Sequence, residues 1–83
     1  MSNSAGNNWT DAKGKLFRRF EFSNFLKALD FVNKIGDLAE NANHHPDITF
    51  GYGYVEVYLI THSKNEITAK DKDLAKAIDQ IQV

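Results

Sequence analysis

The stretch Tyr54–His62 constrains this chain most. Val55, Val57, Leu59 and Thr61 alternate there with Glu56, Tyr58, Ile60 and His62. Period two over such a length predicts a strand with one face against a core. Lys15–Phe22 repeats the pattern, with Leu16, Arg18, Phe20 and Phe22 on one side and Phe17, Arg19 and Glu21 on the other. Ile48–Phe50 reads as a third, short strand, and Gly51-Tyr52-Gly53 joins it to the long one as a turn or bulge. An earlier turn is expected around Ala12–Gly14.

Between the first two strands the period changes to that of a helix. Phe25, Leu29, Val32, Ile35 (or Gly36) and Ala39 recur at helical spacing, widened by Leu26 and Leu38. This helix should run from about Asn24 to Ala42, with Ser23 as N-cap and Asn43 as terminator, since asparagine tolerates the left-handed conformation. Pro46 then forces His45 into extended backbone. Thr68 should cap a last helix reaching about Gln80, with Leu74, Ala75, Ile78 and Ile81 as its core stripe. The order β-α-β-β-α predicts an α+β fold, an antiparallel sheet with two helices packed on one face. Residues 1–8 read as a flexible tail and 9–83 as a single domain.

A chain of 83 residues buries only about 60% of the surface its unfolded form exposes. Its hydrophobic fraction of 42% therefore makes a real but thin core, for which oligomerisation is a common remedy. Net charge is −1 with both signs interspersed, so there is no basic stripe to read phosphates and no direct nucleic-acid partner is expected. Cysteine is absent, which excludes disulfides and thiolate chemistry. The polar N-terminus lacks a secretory h-region, and no apolar run approaches the roughly 18 residues of a membrane span. A cytoplasmic protein is the expectation.

The three histidines all sit at element ends, where a scaffold positions binding residues and loops expose them. His44 and His45 follow a helix C-terminus, whose dipole favours a cationic ring, and Pro46 fixes the backbone behind them. Glu40, four residues before His44, would share its face if the helix persisted and could orient the ring. An imidazole that titrates near neutrality suits a general acid or base. An arbitrary His-His-Pro is more often a solvated helix end, and an isolated His62 more often an exposed strand end. Tyr58 and Ile60 beside His62 are more apolar than a solvent face needs, which suggests a ligand or a second subunit over them. Asp71 completes a capping box with Thr68, and spacing alone favours that structural role. No His-Glu-x-x-His is present and nothing in the histidine spacing calls for a metal.

Taken together these residues resemble the pterin-4a-carbinolamine dehydratase family. Glu40-Asn41-Ala42-Asn43-His44-His45-Pro46, then Tyr52, then Thr61-His62, then Asp71 match its pattern, and the likeness spans about residues 9–81. Trp9, Leu16-x-Arg18-x-Phe20-x-Phe22, Phe25 and Ala28 upstream, and Thr68-x-x-Asp71-x-x-Leu74-Ala75 downstream, extend it. The resemblance implies dehydration of 4a-hydroxytetrahydropterin to quinonoid dihydropterin, in recycling of a pterin cofactor, with neither metal nor organic cofactor. It implies His44, His45 and His62 as the catalytic set. His45 or His62 would be the acid at the 4a-hydroxyl, with His44 binding or exchanging the other proton. Glu40, Asn43, Pro46, Thr61, Ser63 and Asp71 would form the pterin site, Asp71 orienting a histidine. It also implies a homodimer or homotetramer. The alternative is a non-catalytic protein-binding module of the same fold, a dimerisation cofactor or assembly chaperone; retention of all three histidines favours the enzyme. Two departures stand out: family members usually carry a helix before the Trp9 position, where this sequence has a short polar stretch, and Glu66-Ile67 replaces a usual Gly-Leu.

Overall fold

The computed structural model describes residues 8–82. The expected tail, apart from Asn8, lies outside these residues. Strands β1 (Thr10–Ala12), β2 (Lys15–Glu21), β3 (Asp47–Gly51) and β4 (Tyr54–Leu59) and helices α1 (Phe25–Ala42) and α2 (Ala69–Asp79) follow in the order β-β-α-β-β-α. The strands form one antiparallel sheet in the order β1-β2-β4-β3. This is the expected α+β architecture with one short edge strand more. β1 pairs with β2 through a two-residue turn in which Lys13 and Gly14 both have positive φ, 57° and 85°. That is the mirror-image turn whose twist matches a hairpin.

The long alternating segment forms the strand centre. Leu16 to Glu21 on β2 lie opposite Leu59 to Tyr54 on β4, and β3 flanks β4 from Asp47↔Tyr58 to Gly51↔Tyr54. Val55, Val57 and Leu59 are fully buried and meet Ala28, Phe31 and Ile35 of α1 and Leu74, Ala75 and Ile78 of α2. The opposite face carries Phe17 against Tyr58, with ring centroids 4.8 Å apart, and Arg19 paired to Glu56. Between β3 and β4, Gly53 sits at φ 83° and a Cβ there would meet the Phe22 carbonyl oxygen at 3.1 Å. Only glycine accepts both demands without strain.

Three local expectations need correction. The N-cap of α1 is Asn24, not Ser23: its Oδ1 accepts from the Lys27 amide at 2.9 Å. The buried stripe of α1 is Ala28, Phe31, Ile35 and Ala39, whereas Phe25 and Leu26 are 43% and 73% exposed. Apolar residues surround this helix, so two stripes compete in its sequence and the sheet selects one. Finally, β4 stops at Leu59 rather than His62: its pairing ends at Leu16↔Leu59 on β2 and at Asp47↔Tyr58 on β3. The chain turns instead, with an isolated bridge between Thr61 and Glu66. Ile60, expected on the outward face, is closed off within the chain at 7% exposure.

Candidate active site

Asn43 decides where the histidines go. It ends α1 in the left-handed conformation, φ 51° and ψ 42°. Its amide donates to the Glu40 carbonyl at 3.2 Å and the His44 amide to the Ala39 carbonyl at 3.1 Å. This paired arrangement is a Schellman motif, which satisfies orphan carbonyls while reversing the chain. His44 therefore leaves the helix and turns inward to α2, and His45 turns outward.

The consequence is a correction to the role expected of Glu40. Its Oε2 lies 2.5 Å from Nε2 of His45, not beside His44, and both side chains are mostly exposed. The left-handed residue removes His44 from the helical face that four-residue spacing assumed. An exposed pair of this kind contributes little to stability, but it does bias the direction of the His45 ring.

His44 finds a different carboxylate. Its Nε2 is 2.6 Å from Oδ1 of Asp71, and the ring is 11% exposed. Asp71 is completely buried in the first turn of α2. Its other oxygen, Oδ2, accepts the Thr68 amide and the Thr61 hydroxyl, each at 2.8 Å. Burial by itself raises the pKa of this carboxyl; the hydrogen bonds from His44, the Thr68 amide and Thr61 outweigh it and hold the group below its ordinary value. Asp71 is thus both the capping-box acid and the partner of a histidine, two roles that spacing had set in competition.

An ionised carboxylate can only accept, so Nε2 of His44 carries the hydrogen. Nδ1 is the ring nitrogen that Asp71 does not engage. His62 lies exposed in the turn after Thr61, one residue from the hydroxyl that touches Asp71. His44 thus contacts Asp71 directly, whereas His62 is its neighbour only through the chain at Thr61; His45 follows His44 directly. Thr61 is 4% exposed and is buried with Asp71; in sequence, Asn43 and half-buried Pro46 flank the His44-His45 pair and Ser63 follows His62. Tyr52 is at the β3–β4 turn, the whole length of β4 away from His62. A cleft of about 400 Å³ between the helices is lined by Leu38, Asn41, Ala42, His44, Lys70 and Leu74, among others, but not by His45 or His62. Lys70 and the cleft gave no signal in the sequence, because helix-to-helix grooves depend on how α1 and α2 pack. Among the described residues no group of three metal-ligating side chains gathers.

The family model described as pterin 4 alpha carbinolamine dehydratase matches residues 1–81. The chain belongs to this dehydratase family. A family protein from Picosynechococcus sp., named "Putative pterin-4-alpha-carbinolamine dehydratase", is 49% identical over 73 residues, 88% of this chain and 79% of that one. A namesake from Rubrobacter xylanophilus is 48% identical over 66 residues, 80% of this chain and 62% of that one. The dehydratase fold recurs in a crystal structure titled transcriptional coactivator/pterin dehydratase from Brucella melitensis, with TM-score 0.81, 32% identity, and 88% and 80% of the two chains covered. A second structure, of a pterin dehydratase-like protein identified as a RuBisCO assembly factor in the alpha-carboxysome, gives TM-score 0.73 at 25% identity, covering 94% and 93%.

Proposed function

We propose that the chain dehydrates 4a-hydroxytetrahydropterin to quinonoid dihydropterin by histidine acid–base catalysis. The observation that carries this reading is the buried Asp71–His44 pair, in a chain of the pterin dehydratase family whose sequence also carries His45 next to His44 and His62 next to Thr61. In the reaction the C4a–O bond breaks and the hydroxyl leaves as water, so its oxygen needs a proton. The neighbouring ring nitrogen loses its own proton as the C=N bond forms. One imidazole can donate and another accept, each contributing typically 10²–10⁴-fold.

His44 is suited to the ring-nitrogen proton, since Asp71 fixes its Nε2–H and would stabilise the imidazolium formed when Nδ1 accepts. His45 or His62, exposed to solvent, would supply the 4a-oxygen and recover a proton from water. Glu40 would steady His45, and Asn43, Pro46 and Ser63 would border the pterin, in a cytoplasmic homodimer or homotetramer. No step requires a metal or organic cofactor. The competing reading is a protein-binding module, and the assembly-factor title of one structural neighbour belongs to that class; the intact histidine set supports the enzyme.

Stopped-flow turnover of chemically prepared 4a-hydroxytetrahydropterin tests this directly. The wild type should accelerate dehydration, and His45→Ala and His62→Ala should each slow it at least about tenfold while circular dichroism stays native. Wild-type rates in both variants would refute the assignment.

A further inference from the structure

We propose that Thr61 is the positioning residue that holds His44 and His62 in register with one another. Its role in turnover rests on the dehydratase reading; its role in fixing the His44 ring does not.

The side chain is anomalous where it stands. Residue 61 continues the buried row of Val55, Val57 and Leu59, all at 0% exposure, and a valine would fill such a place without a polar group to satisfy. A hydroxyl buried there is tolerable only because it is fully bonded. It donates to Oδ2 of Asp71 at 2.8 Å and lies 2.6 Å from the Thr68 hydroxyl. Since Oδ2 can only accept, the Thr68 hydroxyl is the donor to Thr61, and the polarity runs from the Lys70 amide through Thr68 and Thr61 to the carboxylate. Bonds aligned in this way strengthen one another.

The helix cap does not need this link. Thr68 and Asp71 already complete the capping box between themselves. What the Thr61 hydroxyl adds is a second restraint on Oδ2, which leaves Oδ1 aimed at His44. The main chain of the same residue governs His62. The Thr61 carbonyl accepts the amides of Lys64 at 3.1 Å and Asn65 at 2.7 Å, and its amide donates to the Glu66 carbonyl at 3.0 Å. Those bonds close the turn on which His62 rides. One residue therefore ties both histidines, by its side chain and by its backbone, to a single point.

Thr61→Val keeps the volume and the turn but deletes the hydroxyl. We expect kcat for 4a-hydroxytetrahydropterin to fall at least about tenfold with KM changed less than about twofold, and Thr61→Ser to recover most of the rate. Long-range ¹H–¹⁵N spectra of the imidazoles supply the independent readout. Wild-type His44 should show one tautomer, protonated at Nε2, and Thr61→Val a tautomer mixture, with the His62 signals unmoved. A Thr61→Val protein with wild-type rate and a single His44 tautomer overturns the proposal. So does a wild-type His44 that already exchanges between tautomers, a result needing no variant to fold. Should the wild type not turn over the pterin at all, the dehydratase reading fails while the spectra still decide the role of Thr61.

Discussion

A carboxylate with no water around it persists only where other groups answer its charge, and at Asp71 three do. Because hydrogen bonding depresses its folded-state pKa, ionised Asp71 contributes stability above the ordinary carboxylate range. That contribution is lost as pH falls below about 4, through the still lower folded value. Urea unfolding between pH 7 and pH 3 should show Asp71→Asn less stable than wild type at pH 7, by about 1–3 kcal/mol, with a smaller further loss on acidification. An equal acid dependence in both proteins would contradict the account. At this scale the sequence was partly legible. Asp71 could be read as a cap from Thr68-x-x-Asp71 and as a histidine's partner from family spacing. The pairing of Glu40 with His45 could not, since it depends on a single left-handed residue redirecting the chain.

That residue, Asn43, belongs to the scale of elements, where the ends proved harder to read than the bodies. Both helices, β2 and the hairpin β3–β4 follow from periodicity, and Thr68 caps α2 as its spacing to Asp71 predicts. β1 escaped because Thr10-Asp11-Ala12 is too short and polar to show alternation, and the end of β4 depends on where its neighbours stop. At the C-terminus of α1, Asn43→Gly should be neutral or slightly stabilising, since glycine enters the left-handed region freely. Asn43→Ala should cost about 1–2 kcal/mol. Thermal unfolding of both variants would check this, and an alanine variant as stable as the glycine one would show that the Schellman turn does not depend on the asparagine.

For the whole molecule, the thin core expected from length is a single cluster between the sheet and two helices, and no buried side-chain polar atom among the described residues lacks a partner. The apolar Tyr58 and Ile60 beside His62 are one sequence argument for self-association. Ile60 is covered by its own chain, which leaves Tyr58 alone of the two for a partner to cover; α1 leaves Phe25 and Leu26 exposed. Sedimentation at micromolar concentration should still show a dimer or tetramer, and a lone monomeric species would refute it. Among the described residues no helix is long and apolar enough to cross a membrane.

Trp9, the sole tryptophan, is 5% exposed, and its indole N–H donates to both oxygens of Asp79 at 3.0 and 3.1 Å. Arg18 grips the same carboxylate. Seventy residues of chain separate Trp9 from Asp79, so this contact closes a very large loop and carries a high entropic cost of formation. Asp79 ends the helix whose first turn holds Asp71. Undocking of α2 as a whole would break both contacts together, and tryptophan emission should then shift to the red. Trp9 emission should thus report the docking of α2, readable in the refolding time course without any substrate.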